Sequence, residues 1–218
     1  MSFPGPAASE LRAWLRLLGT EGVGRATIRR LLAAAGGPEA VFHRSPETLG
    51  VPLSEAQSRN LAAEPAGLDA HLESLLAWLD VREPGGPERR VIPLGEATYP
   101  PALLETADPP ILLYAMGAPG PMRSLSMLGA ATGALPAIAI VGSRNPTAQG
   151  AENARQFARS LAGEGLCVVS GLALGVDGAA HQGALEAQTD HRLPTIAVVG
   201  TGLDRVYPKR HLALARAI

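Results

Sequence analysis

Lysine is almost missing from this 218-residue chain. Lys209 is the single lysine, and the other 18 basic residues are arginines (19 − 1). Cysteine is equally scarce. Cys167 stands alone, which excludes an intramolecular disulfide and a cysteine-based metal site. Aromatic residues make up 4% and charged residues 18%, so neither a long stacking platform nor a general basic coat is available. With a net charge of −1, nucleic-acid binding would have to come from a local patch. No apolar run approaches the roughly 20 residues that span a bilayer. Met1–Leu18 has neither a basic n-region nor an unbroken apolar stretch of the secretory kind. A cytoplasmic protein without a membrane partner is the expectation.

What is present is an apolar fraction of 46%, enough to bury a core in one large domain or two small ones. Leu11, Trp14, Leu15 and Leu18 share one helical face, and Arg25 to Ala35 reads as a second helix, closed by Gly36-Gly37. The Gly22-Val23-Gly24 turn between them makes a helix-hairpin-helix pattern. Its amides, with Arg25, Arg29 and Arg30 nearby, could face a nucleic-acid backbone or merely pack. Further helices are expected at Pro38 to His43 and Ala66 to Leu79. Arg82 to Arg90 is rich in Pro, Gly and charge and reads as a linker. Residues 1–82 are therefore expected to form a small helical domain and 90–218 a second domain. That second domain opens with short strands at Arg90 to Leu94 and Ile111 to Tyr114, then a small-residue insertion from Gly117 to Leu135.

From Ala137 the pattern becomes regular: strand to Val141, helix Ala148 to Gly163, strand Leu166 to Val169, helix Asp177 to Ala187, strand Thr195 to Val199. On the first helix, Ala151, Ala154, Phe157, Ala158 and Leu161 are expected to pack on the sheet. Continuously apolar strands alternating with helices predict an α/β fold whose parallel, Rossmann-like sheet is covered on both faces. Ligands of such sheets bind at the carboxyl ends of the strands. That edge carries Gly142-Ser143-Arg144, Ser170-Gly171 and Gly200-Thr201-Gly202. Doubly wound sheets usually have five or six strands, so the three seen here predict a sheet incomplete at its C-terminal end.

Gly142-Ser143-Arg144-Asn145-Pro146-Thr147 joins a strand to a helix, where outward-pointing N–H groups attract anions. Arg144 adds a charge-assisted contact to phosphate; the plainer alternative is a tight turn with Thr147 as helix cap. Tyr207-Pro208-Lys209-Arg210-His211 brings three more potential cations to the same edge. Nucleotide-cofactor fingerprints fail. The lysine is followed by Arg210 rather than Ser or Thr, and Arg205 occupies the third glycine position after Gly200 and Gly202. No dinucleotide cofactor is expected. Asp177 and His181 share a helix face, but without a converging third ligand or nucleophile they are read as a helix cap and loop support rather than a metal or acid–base pair. Cys167 is read as buried packing.

Four segments in order carry a family resemblance: Tyr99-Pro100 to Tyr114; Ile140-Val141-Gly142-Ser143-Arg144; Ser170-Gly171-Leu172-Ala173-Leu174-Gly175-Val176-Asp177-Gly178-Ala179-Ala180-His181; and Gly200-Thr201-Gly202-Leu203-Asp204 to Tyr207-Pro208. Together they resemble the DprA (Smf) family, the DNA-processing proteins of natural transformation. The resemblance implies a helical, SAM-like N-terminal domain, an extended Rossmann-like domain, binding of single-stranded DNA, assistance to RecA loading, a homodimer, and no enzymatic activity. It implies that Gly142, Ser143 and Arg144, and Lys209 with Arg210, line the DNA pocket; Ser170, Gly171 and Gly202, at the same strand ends, are expected to join them as phosphate contacts, with no catalytic residue, metal or cofactor. It places the main dimer surface and the RecA-contacting region in later strands. Two features depart from the family pattern: Gln149 stands where an aromatic is frequent, and the Gly117–Leu135 stretch is long. Two other readings compete. One is a nucleotide phosphoribohydrolase-type enzyme, for which Asp177 is the only candidate carboxylate. The other is a protein-interaction scaffold with a vestigial loop.

Overall fold

The apolar stripes of the first hundred residues do form helices. The computed structural model describes residues 5–118, 135–187 and 193–218. Most of the insertion expected at Gly117–Leu135 lies outside the described residues. By internal contacts the chain divides into two compact units, residues 1–99 with 105–115, and residues 100–104 with 116–218.

The first unit holds α1 (Ala8–Gly19), α2 (Arg25–Ala35), α3 (Pro38–Phe42), α4 (Glu55–Ala62) and α5 (Leu68–Asp80). Leu17, fully buried, completes the inner face of α1, whereas Leu18 is exposed. Helix α4 was not expected from periodicity. Its signal is a capping box: the Gln57 N–H donates to Ser54 Oγ (3.2 Å) and the Ser54 N–H donates to Gln57 Oε1 (2.9 Å). Two strands, β1 (Glu88–Pro93) and β2 (Leu112–Gly117), pair with each other. Val91 of β1 is buried with Leu11, Leu15, Leu68 and Leu75, and Ile111 with Trp14, Ile28 and Leu31. The segment read as a linker therefore lies inside the first unit, because the apolar residues that follow it complete the helical cores.

The second unit begins with the single turn α6 (Pro101–Leu104) and continues through β3 (Ala137–Ala139), α7 (Ala148–Gly163), β4 (Cys167–Ser170), α8 (Val176–Leu185) and β5 (Thr195–Ala197). It ends in a 3₁₀ turn, Lys209–His211, and α9 (Leu212–Ala217). The sheet is parallel, in the order β3-β4-β5, with Ile138 beside Val168 and Val169 beside Ile196. Val168 is buried with Ala158 and Ala162 of α7 and Ala180 and Ala184 of α8, so both helices cover one face. The opposite face carries Cys167, Val169 and Ile196 with Leu193, and β3 is exposed along its length. Helical cover on both faces, expected from the apolar strands, is thus found on one among the described residues. Phe157 also departs from expectation. It is 66% exposed, and α7 buries the small stripe Ala154, Ala158 and Ala162 instead. The reason is the closeness of α8, where a Cβ on Gly183 would overlap the Arg155 carbonyl. Among the described residues no helix is long and apolar enough to cross a membrane.

Candidate functional site

Each strand of the second unit ends at the same edge, and three loops meet there. The middle loop, 171–175, follows β4. Ser170 closes the strand: it is buried, and its hydroxyl donates to the Ile140 carbonyl (2.6 Å) beside the Ile140 N–H to Val169 carbonyl bond (3.0 Å). Leu172 is buried with φ +59°, a left-handed conformation that costs a residue with a Cβ roughly 1 kcal/mol or more. Its surroundings hold it there. Asp177 Oδ2 accepts the N–H groups of Gly171 (3.1 Å) and Ala173 (3.4 Å), and the Gly178 N–H donates to the Ala173 carbonyl (3.1 Å). Asp177 therefore organises the loop before α8, while Gly175 occupies the cap position that sequence had given to Asp177.

The loop after β3 rests on this one. Gly175 has φ +83°, and a Cβ there would overlap the Ser143 carbonyl oxygen and sit 2.6 Å from Pro146 Cδ. Only glycine satisfies both the dihedral and the close approach. The Val176 N–H then donates to the Ser143 carbonyl (3.1 Å), and a Cβ on Gly142 would lie 2.9 Å from Val176 Cγ2. Ser143 Oγ accepts the Asn145 N–H (3.0 Å), and Thr147 caps α7 as expected, its Oγ1 accepting the Gly150 N–H (3.0 Å). The N–H groups of Gly142, Ser143 and Arg144 have no acceptor among the described residues.

The loop after β5 is fastened to the middle loop by His211, whose Nδ1 lies 2.9 Å from the Leu172 carbonyl oxygen. A carbonyl only accepts, so Nδ1 carries the proton. His211, counted with the cations in the sequence, is an anchor. Lys209 and Arg210 on the same turn are exposed, as is Arg144, and none of the three has a carboxylate partner among the described residues. Arg205 differs. It pairs with Asp204 (2.9 Å), and that hydrogen bond holds the Asp204 carboxyl below the usual carboxylate range. Gly202 belongs to the turn beneath this pair, its carbonyl accepting the Arg205 N–H (3.2 Å).

Of the eight residues singled out, Gly142, Ser143, Arg144, Gly171, Lys209 and Arg210 thus border three interlocked loops. Ser170 is turned inward to hold the strand ends, and Gly202 shapes a neighbouring turn. Tyr207 is 69% exposed beside them, the kind of aromatic that the low aromatic content had discounted. His181 lies behind the site, fully buried. The Thr195 hydroxyl donates to the Val168 carbonyl (2.7 Å), so it accepts from His181 Nδ1 (2.7 Å). No group of three or more potential metal ligands occurs among the described residues.

The helical hairpin of the first unit offers less charge than its sequence promised. Arg29 donates to Asp108 Oδ1 (2.6 Å) and to the Pro109 carbonyl (3.0 Å), and Arg25 pairs with the same carboxylate. The turn itself is held by α4: the side-chain amides of Gln57 and Asn60 donate to the carbonyls of Gly22 (2.8 Å) and Glu21 (3.0 Å).

Comparison with known proteins identifies the lineage of this edge. The family described as DNA recombination-mediator protein A matches residues 90–218, which include all three loops. The chain belongs to that family. Protein Smf of Escherichia coli (strain K12) is 35% identical over 147 residues, covering 67% of this chain and 34% of that protein. Protein Smf of Synechocystis sp. (strain ATCC 27184 / PCC 6803 / Kazusa) is 30% identical over 212 residues, covering 97% of this chain and 49% of that protein. The chain thus spans between about a third and a half of the length of these relatives. The X-ray structure of DNA processing protein A from Streptococcus pneumoniae shares the fold, with a TM-score of 0.56 at 24% identity over 97% of this chain and 64% of that one. Membership in the DNA recombination-mediator protein A family agrees with the four segments quoted from the sequence. What the sequence missed beside them is the anchor. His211 lies just beyond the fourth segment, directly after Lys209 and Arg210.

Proposed function

We propose that this edge binds single-stranded DNA without sequence preference, and that the chain serves DNA processing in this way. Phosphates of the strand sit against the amides of Gly142 and Ser143 and against Arg144, Lys209 and Arg210. The observation that carries the reading is the set of three exposed cations without carboxylate partners among the described residues, on two loops fastened to a third. A single phosphate would need one such loop; a strand with a charge on every nucleotide uses several. Gly171 leaves room for the Asp177 carboxylate that fixes the middle loop, Gly202 leaves room for that of Asp204, and Ser170 supports the edge from beneath. The family resemblance extends the reading to RecA loading and a homodimer, and to a non-enzymatic role. The commitment of Asp177 Oδ2 to two loop amides counts against its use as the acid of a phosphoribohydrolase.

Arg144→Ala combined with Lys209→Ala tests the assignment by mobility shift on an oligonucleotide in a salt series. Each phosphate contact contributes about 0.7 to the slope of log affinity against log salt for single strands, so the double variant should bind more weakly and lose about 1.4 from the slope. An unchanged slope and affinity would mean that the strand lies elsewhere. RecA loading is tested by RecA filament formation on strands coated with a single-strand binding protein, with and without this chain.

A further inference from the structure

The contacts that hold Lys209 and Arg210 in place converge on one imidazole. The 3₁₀ turn Lys209–His211 is three residues long, and the helix after it has only six. Segments so short do not hold their shape without tertiary contacts. His211 supplies two. Its Nδ1–H donates to the Leu172 carbonyl (2.9 Å), which the left-handed conformation at Leu172 turns toward it. Its ring lies over Gly178 in the first turn of α8, where an added Cβ would come within 2.6 Å of Cε1 and 2.9 Å of Nε2. Glycine is a poor residue inside a helix, and Gly178 is explained by the ring that fills the space above it.

We propose that His211 is the positioning residue for the cation pair: seated on Gly178 and bonded to the Leu172 carbonyl, it holds Lys209 and Arg210 against the loop that also supports Arg144. The inference rests on the single-strand reading above. It makes 171–175 a common base plate, with Ser143 and Val176 fastening one cationic loop and Leu172 and His211 the other. The ring acts through Lys209 and Arg210 and is not itself assigned a contact to the strand.

The chain's composition provides a direct assay. Lys209 is the only lysine, so a lysine-specific endoprotease has one cleavage site, and that site is the turn in question. The wild-type 218-residue chain is compared with His211→Ala, His211→Asn and Gly178→Ala, reading the cleavage rate and the affinity for a single-stranded oligonucleotide. His211→Ala should speed cleavage and weaken binding by about fivefold, the weight of one net hydrogen bond. Gly178→Ala should do the same by pushing the ring aside. Because alanine favours a helix, its thermal stability should not fall, which separates displacement of the ring from misfolding. In the His211→Ala background, Gly178→Ala should add nothing, since the clash is gone. His211→Asn, whose Nδ2 stands where Nδ1 stood, should restore both readings. Unchanged cleavage and affinity in His211→Ala and Gly178→Ala would overturn the proposal. So would faster cleavage with unchanged affinity. A wild-type chain that binds no oligonucleotide overturns the single-strand reading, and the cleavage rates then still decide whether His211 holds the turn.

Discussion

Acid should loosen the second unit well before it loosens the first. The cause is His181, which is fully buried between α8 and β5. The Thr195 hydroxyl gives its proton to the Val168 carbonyl, so His181 Nδ1 must be the donor to Thr195. The other nitrogen, Nε2, is buried without a hydrogen-bond partner among the described residues, so protonating it would bury a charge that is poorly compensated. Burial pushes the imidazole from its ordinary 6.5 down to about 4. Asp177 and the Ser170 backbone oppose that shift, and His211 adds to it. The folded value is depressed, so the unfolded chain takes up the proton first. Stability is therefore complete above pH 6.5 and declines as pH falls toward 4. Linkage between 6.5 and about 4 gives a loss of about 2 kcal/mol at pH 5 and about 3 kcal/mol at pH 4. This is a large share of the 5–15 kcal/mol typical of a folded domain.

The carboxylates held below their ordinary range, Glu47, Glu64, Asp108 and Asp204, contribute above their unfolded values and are lost only below about pH 4.5. Among the described residues, the window between pH 6.5 and 4.5 thus belongs mainly to His181. Hydrogen exchange of peptides from β4 and α8, measured from pH 7 to pH 4 and corrected for intrinsic rates, should show protection falling in this window. Peptides from α1 and α2 should hold. His181→Leu keeps most of the volume and leaves the Thr195 to Val168 bond intact. It should flatten the pH dependence of β4 and α8, whatever its stability at pH 7. An equal acid slope in wild type and variant would refute the argument.

Two further outcomes follow from burial and pairing. Burial pushes the Cys167 thiol up to about 12, so it should resist alkylation at pH 8 in the native chain and react fully once denatured, followed by mass spectrometry; rapid native labelling would contradict its place in the sheet. Arg25→Ala with Arg29→Ala should leave single-strand affinity unchanged in the mobility-shift assay, because both guanidinium groups are already engaged by the Asp108 carboxylate. A clear loss would return the hairpin to the binding surface.

Periodicity identified the α/β pattern because each strand of the second unit is a short apolar run between long helical stripes. The bounds of α2 and α7 agree with the sequence reading, since glycine and a threonine cap punctuate them. Periodicity could not say which apolar side chain of α7 faces inward. That choice is set by the distance to α8, and Gly183 brings the helices too close for Phe157 to fit between them. The stretch at 82–90 turns on a related point. Local composition marks a turn well, but whether a unit ends there depends on where the next apolar residues pack, and Val91 and Ile111 pack back into the helical cores.

The candidate site was legible as chemistry and not as construction. Arg144 and Lys209 stand out in sequence because cations after parallel strands point to anions. Nothing in that rule says what keeps two loops, separated by some sixty residues, at one place. The answer lies in residues with little chemistry of their own. Gly175 lets the middle loop touch the Ser143 carbonyl, Leu172 turns its carbonyl outward at the expense of local strain, and Gly178 leaves room for a ring. Asp177 then fixes the loop through two amides, which is why a buried carboxylate sits here without acting as a catalyst in this reading. The division of labour has a consequence for sequence comparison. Arg144 and Lys209 are exposed and hold no other part of the edge in place, whereas Gly175 admits no side chain at all. The pattern of glycines and the aspartate between Ser170 and His181 is therefore a sharper mark of this site than its positive charge.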